Sequence, residues 1–325
     1  MIAMTVPVPG GPDSFRMTEL ADPRPGPGEV LIAVAAAGVN RADVFQRLGH
    51  YPSPPGFPDW PGLEVSGTIV ETASDVTGWS VGQPVCALLS GGGYASLAVA
   101  PTSQLLPIPA GVDLVDAAAL PEAMATVWSN VFLDADLRAG ETLLVHGGSG
   151  GVGTVAVQLA RTFGCLVAVT AGSSDKLAAC ARLGADILIN YRTDDFVERM
   201  LEASDGRGAD VILDAIGGDY LERDLRALAP HGRIAVIGNQ SGTQSTIDLR
   251  SLMGKWASIH GTTLRARPAT EKAAIVESVL ANAWPLVETG QVIPVVDTRM
   301  PLADAALAHE RMESSVHIGK LLLVP

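Results

Sequence analysis

Residues 145 to 160 read VHGGSGGVGTVAVQLA, a glycine-dense turn that runs into apolar residues at helical spacing. The ETLLV run just before it is short, apolar and rich in branched residues, which predicts a buried strand; after it, Val152, Val155, Ala156, Leu159 and Ala160 fall on one helix face. The glycines therefore sit at a strand-to-helix turn. Glycine permits positive φ and close backbone approach, while the free N–H groups and positive dipole end of the following helix attract a pyrophosphate. Gly148, Gly150 and Gly153 fit G-x-G-x-x-G, with Gly147 and Gly151 allowing other registers, so no separate role is read for each. A turn that only packs a helix closely on a sheet would use the same residues, but a strand before and a helix after is the context a dinucleotide site requires.

The rest of the chain bounds that expectation. With 325 residues it exceeds a comfortable single core, so two domains are expected. Lys plus Arg is 22 against 35 Asp plus Glu, a net charge of -13, which opposes binding to nucleic acid or an anionic membrane. An anionic ligand must be caught by a local site. The three cysteines, Cys86, Cys165 and Cys180, form no C-x-x-C pair and are too few for a disulfide framework. The opening MIAMTVPVPGGPDSF lacks the basic and long apolar regions of a secretion signal, and VLIAVAAAGV is too short to span a bilayer. A cytoplasmic protein is expected.

From 121 to 264 strand and helix patterns alternate, with strands starting near 142, 166, 186, 210, 232 and 257. That predicts an α/β domain, a six-stranded doubly wound parallel sheet of the Rossmann type. Residues 1–120 carry short alternating runs such as EVLIAVAAAGV and YASLAVA between glycines and prolines, which predicts a mostly antiparallel β domain. GHYPSPPGFPDWPG, residues 49 to 62, is too proline-rich for a helix or central strand and should be an ordered loop. Residues 265–325 offer a helix over ATEKAAIVESVLANAWPLVETG, a strand pattern, another helix and a closing strand, and are expected to return to the first domain. Ligands of such sheets bind beside the carboxyl ends of the parallel strands, where a cleft is expected.

The second strand of the parallel sheet decides the nucleotide. A site preferring NADH places a carboxylate at its tip to hold the ribose 2′-hydroxyl. Here the strand ends VAVTAGSSDK, so Gly172 and Ser173 are neutral and Lys176 offers a positive charge, with Asp175 as the opposing one. Tyr191, beyond the third strand, is a second contact for the phosphate or adenosine. NADPH is the expected cofactor. A short-chain reductase is excluded as the other Rossmann reading, because none of Tyr51, Tyr94, Tyr191 and Tyr220 is followed four residues on by the lysine of a Tyr-x-x-x-Lys pair.

GETLLVHGGSGGVGTVAVQLAR, from Gly140 to Arg161, resembles the quinone oxidoreductase and zeta-crystallin signature of the medium-chain dehydrogenase/reductase superfamily. GVNRADVFQRLGHYPSPPG, PGLEVSG, AALPEAMATVW, LGAD and the terminal IGKLLL resemble family segments in the same order, most like the NADPH-dependent enzymes of the tumour-suppressor-inducible type. The resemblance implies a GroES-like catalytic domain (1–120 and 265–325), a Rossmann domain (121–264), and a homodimer joined along the edges of the Rossmann sheets. Zinc-dependent cousins carry Cys where this chain has Asn40 and His where it has Leu63, so too few ligands remain for a catalytic zinc and no metal is expected. Glu64 then reads as structural.

The resemblance implies that Asn40 and Tyr51 border the substrate, Tyr51 hydrogen-bonding the quinone oxygen, and that Thr126 approaches the nicotinamide carboxamide. Each also has a plainer explanation, respectively turn satisfaction, a packing anchor and an ordinary helix residue. On the cofactor side the candidates are Gly148, Gly150, Gly151, Val152 and Gly153 at the turn, Gly172, Ser173, Lys176 and Tyr191 at the ribose, and Asn239, Leu264, Arg265 and Lys320 further along. Of these, Arg265 and Lys320 could equally be surface charges. Reduction of small quinones is the expected activity, since quinones accept hydride without a Lewis acid. An enone or enoyl-thioester reductase and a non-enzymatic nucleotide- or RNA-binding protein, as some zeta-crystallin relatives are, stand as alternatives.

Overall fold

Two short strands, β1 (Ile2–Thr5) and β2 (Arg16–Glu19), pair as a separate antiparallel ribbon ahead of the first large sheet in this computed structural model, which describes residues 1–325. The large sheet is built around β3 (Glu29–Val39), whose alanine-rich end lets neighbours approach closely. It pairs antiparallel with β4 (Glu64–Thr72), and β5 (Pro84–Leu88), β6 (Leu97–Pro101) and β7 (Leu105–Pro107) extend the sheet, β6 pairing with β3. Helix α1 (Arg41–Arg47) follows β3, and residues 49–62 hold neither helix nor strand. That loop is ordered by Trp60 Nε1 donating to the Gly92 carbonyl (3.0 Å) and Gln46 Nε2 donating to the Asp59 carbonyl (2.8 Å).

Helix α2 (Pro121–Val127) leads into a π-helical stretch, Trp128–Asp134. Thr126–Thr263 is then a unit of its own. Its strands are β8 (Thr142–His146), β9 (Leu166–Ala171), β10 (Ile187–Asn190), β11 (Ala209–Asp214), β12 (Leu228–Val236) and β13 (Ser258–Gly261). All pair parallel in the order β10-β9-β8-β11-β12-β13, with α3 (Gly151–Thr162) and α4 (Ser174–Arg182) crossing between the first three. The order reverses at β8, where the glycine turn lies, which is the place a doubly wound sheet binds ligands.

Met1–Ala125 with Leu264–Pro325 forms the other unit. The division falls at 125/126 and 263/264, five residues and one residue from the sequence boundaries, because Ala118 and Ala119 pack on Ala36 and Leu322 and carry the start of α2 with them. The single helix expected over 269–290 is two, α5 (Ala269–Asn282) and α6 (Trp284–Glu288). Pro285 has no N–H to continue the ladder, and Trp284 is instead anchored by donating to the Pro107 carbonyl (3.0 Å). The strand β14 (Val296–Pro301) and, after α7 (Ala305–Glu313), the strand β15 (Lys320–Val324) then complete the first sheet, β15 pairing antiparallel with β3.

Candidate active site

In the glycine turn, each residue has a separate mechanical reason. Gly147 has φ +73°, a left-handed conformation that L side chains rarely adopt. A Cβ on Gly148 would lie 2.6 Å from Cβ of Val169, and one on Gly153 would run into the backbone of Gly147 and Gly148, so both permit helix α3 to pack on the sheet. Gly150 differs. Its added Cβ would meet only the Gly147 carbonyl, at 3.4 Å, and as N-cap of α3 it brings no side chain to the helix start. Gly151 and Val152 open that helix, so its first N–H groups remain for a phosphate. The turn fits a dinucleotide pyrophosphate.

Behind the turn lies a buried hydrogen-bond chain that sequence reading missed. Gly147 N–H donates to Thr170 Oγ1 (3.2 Å), Thr170 Oγ1 is 3.1 Å from His146 Nδ1, and His146 Nε2 is 2.8 Å from Asp224 Oδ1. In the tautomer protonated at Nε2, each hydrogen is directed: amide to hydroxyl, hydroxyl to ring, ring to carboxylate. Phe196 and Tyr220 meet the imidazole edge-on.

At the tip of β9, a Cβ on Gly172 would lie 2.5 Å from the Tyr191 hydroxyl and 3.2 Å from Arg192 Nε. Both side chains therefore fold over Gly172. Ser173 caps α4, its hydroxyl accepting the Lys176 N–H at 3.4 Å, so Lys176 starts within the first turn beside them. Arg192 was not singled out from the sequence, although INYR places it next to Tyr191. Asn239 is exposed in the loop after β12. Thr126 is buried, and its carbonyl accepts from Asn130 Nδ2 (2.8 Å), while Thr262 Oγ1 donates to Asn130 Oδ1 (2.5 Å). The π-helical stretch Trp128–Asp134 begins two residues after Thr126.

Within the first unit, Asn40, Glu64 and Lys320 form one buried group. Lys320 Nζ donates to Asn40 Oδ1 (2.6 Å) and Glu64 Oε1 (2.5 Å), Asn40 Nδ2 donates to Glu64 Oε1 (2.9 Å), and the Glu122 N–H donates to Glu64 Oε2 (2.8 Å). Glu64 is 0% exposed and Lys320 3%. Lys320 is accordingly no surface charge. Its ammonium is engaged by the carboxylate and amide, which corrects the expectation that it would be open to the cofactor. Gly38 makes room for the Glu64 carboxyl, which a Cβ there would strike. These residues do not fit a zinc ion. No three His, Cys, Asp or Glu side chains converge anywhere, and a cation on a side chain already sits against the oxygens of Asn40 and Glu64.

Arg265 is also buried, and clamps the proline-rich loop. Its Nε donates to the Ser90 carbonyl (2.7 Å), Nη1 to the Tyr51 carbonyl (3.2 Å) and Nη2 to Ser53 Oγ (2.6 Å), with the guanidinium carbon 5.2 Å from the Tyr51 ring centre. Those bonds make Arg265 a holder of Tyr51, which differs from the cofactor role expected of it. Burial lowers its pKa. Lys272 Nζ lies beside it, donating to Ser90 Oγ (2.5 Å), and burial lowers its pKa too. Leu264 precedes Arg265 as a buried packing residue.

Residues 151–279 match the zinc-binding dehydrogenase family and 26–110 the alcohol dehydrogenase GroES-like domain. The quinone oxidoreductase of Rattus norvegicus is 33% identical over 318 residues, covering 97% of this chain and 95% of that protein. A phenolphthiocerol synthesis polyketide synthase type I of Mycobacterium bovis is 36% identical over 301 residues, 91% of this chain but 14% of that one. Among solved structures, Escherichia coli quinone oxidoreductase complexed with NADPH superposes with TM-score 0.90 at 28% identity, covering 100% of both chains. With the glycine turn, the sheet order and the GroES-like unit in place, the chain belongs to the quinone oxidoreductase family of the medium-chain dehydrogenase/reductase superfamily and is an NAD(P)-dependent oxidoreductase.

Proposed function

We propose that the chain reduces small quinones with NADPH, by direct hydride transfer and without a metal. The observation that carries this is the Lys320 ammonium against Glu64 and Asn40: it leaves no open ligand position for a Lewis acid, which suits an acceptor that needs none. The nicotinamide supplies the hydride. Gly150, Gly151, Val152 and Gly153 hold the pyrophosphate, and Gly172, Ser173, Lys176 and Tyr191, with Arg192, receive the 2′-phosphate. Asn239 and Thr126 contact the nicotinamide half. Asn40 borders the substrate, its side-chain amide held by Glu64 and Lys320, and Tyr51 hydrogen-bonds the quinone oxygen as charge develops there.

The superfamily resemblance keeps a second reading, reduction of an activated carbon-carbon double bond. NADPH and NADH oxidation by metal-stripped protein, followed in parallel with 1,2-naphthoquinone and crotonyl-CoA, separates the two. Turnover of crotonyl-CoA alone would move the assignment to enoyl thioesters, and loss of quinone turnover on chelation would overturn metal independence. Tyr51→Phe is expected to lower quinone kcat about 10-fold while sparing the KM for NADPH; an unchanged kcat reduces Tyr51 to a packing residue. Thr170→Val leaves the Gly147 N–H and His146 Nδ1 without their shared hydroxyl, and is expected to raise the KM for NADPH about 10-fold, whereas Thr170→Ser keeps it. Equal KM values in both variants would show that the turn does not depend on that hydrogen bond.

A homodimer through β13 is part of the same proposal. That strand has β12 on one side only, and Met253 and Trp256 beside it are exposed. Sedimentation at the mass of one chain would refute it. No helix is long and apolar enough to cross a membrane, and three free buried cysteines suit a reducing compartment such as the cytoplasm.

A further inference from the structure

The proline-rich loop carries Tyr51, and one side chain from far along the sequence grips it. Arg265 reaches the loop because residues 90–93 read SGGG: a Cβ on Gly91 would lie 3.2 Å from both Arg265 Nη2 and Ser53 Oγ, so a side chain there would press on the guanidinium. Arg265 Nη1 donates to the Tyr51 carbonyl (3.2 Å) and Nη2 to Ser53 Oγ (2.6 Å), while the guanidinium carbon stands over the Tyr51 ring, 5.2 Å from its centre. Ser53 passes the hold on, its Oγ donating to the Pro58 carbonyl and accepting from Gln46 Nε2 at 3.4 Å. Tyr51 is thus met by the same cation at its backbone and at its ring. Arg265 is 4% exposed, and its hydrogen bonds go to the oxygens of Ser90, Tyr51 and Ser53, none of them a carboxylate. Its charge is therefore not cancelled at bonding distance. The other charged groups that face it are Lys272 on α5, Asp43 on α1 and Glu122 on α2, with Lys272 Nζ directed at Ser90 Oγ and the Arg265 carbonyl (3.4 Å).

We propose that Arg265 is a positioning residue of the reduction, fixing Tyr51 through its carbonyl and its ring and strengthening the phenol as a hydrogen-bond donor to the substrate oxygen. The inference rests on Tyr51 meeting the quinone, as proposed above. A cation over the face of an aromatic ring is drawn to the negative face of its quadrupole, and the attraction is larger where water is excluded. It grows as the phenol oxygen gains negative charge, so the field of Arg265 favours each state in which the O–H hydrogen is pulled towards an acceptor. The substrate oxygen becomes that acceptor as hydride addition makes it anionic. Arginine suits the position: it keeps its charge when buried, and its planar fork reaches a carbonyl and a hydroxyl at once, which a single ammonium does not. Holding the phenol in place beforehand also spares the entropy of ordering it in each turnover.

A titration and a kinetic cycle test this. In the free protein, without nucleotide or quinone, the part of the ultraviolet phenolate band that disappears in Tyr51→Phe reports the Tyr51 hydroxyl. Arg265→Met should move that titration to higher pH by about 1 unit, and Arg265→Lys, which keeps a cation without the fork, should move it less. With 1,2-naphthoquinone, Arg265→Met should lower kcat about 10-fold with the KM for NADPH unchanged, and should lower it no further in a chain that already carries Tyr51→Phe. Arg265→Lys should lose about 3-fold, again only while Tyr51 is present, and carries the kinetic test if the Met variant does not fold. Losses that multiply with that of Tyr51→Phe, or a Tyr51 titration that ignores Arg265→Met, overturn the inference alone. If Tyr51→Phe itself leaves kcat unchanged, the proposed role of Tyr51 fails and the inference with it.

Discussion

Lys320→Met is expected to lower the free energy of unfolding by about 3–5 kcal/mol, the cost of leaving one partner of a buried ion pair uncompensated. Glu64 would keep two hydrogen bonds, from Asn40 Nδ2 and the Glu122 N–H, but its charge would face no cation at bonding distance. Pairing the change with Glu64→Gln removes the stranded charge and should recover most of the loss. Urea unfolding of the two single variants and the double variant measures the coupling. A loss below about 1 kcal/mol in Lys320→Met would place the pair in the range of exposed surface bridges and refute its buried role.

Lys176→Ala combined with Arg192→Ala is expected to raise the KM for NADPH by roughly 100-fold or more and to leave that for NADH nearly unchanged. Hydrogen bonds to a charged group contribute about 1.5–3 kcal/mol each, so two lost contacts to a phosphate amount to about two powers of ten at least and about four at most. The position of Arg192 Nε and the Tyr191 hydroxyl over Gly172 is what concentrates the effect at one end of the ribose. Both contacts are close to solvent, so the preference should also weaken as salt is raised. Equal losses for the two nucleotides would remove both side chains from the 2′-phosphate.

The parallel sheet was legible because each strand is a short branched run bounded by helical periodicity, and because the glycine turn needs a strand before it and a helix after it. Pro285 was equally visible, yet the periodicity on both sides suggested one helix where its missing N–H makes two. Other features are long-range and leave no local trace. Lys320 meets Glu64 and Asn40 across 256 and 280 residues of sequence, so the spacing that identifies a motif cannot reveal it. Asn130, inside the π-helical stretch, meets Thr262 across 132 residues of sequence. Arg192 lay in plain view beside a residue already chosen, and only the crowding at Gly172 brings the two together.

The ammonium at Lys320 has a consequence of supply. A charge carried on a side chain is installed once, by the ribosome, in every copy of the chain. In the metal-free reduction proposed above, that charge cannot be stripped by a chelator or exchanged for a competing ion, and each molecule leaves synthesis carrying it.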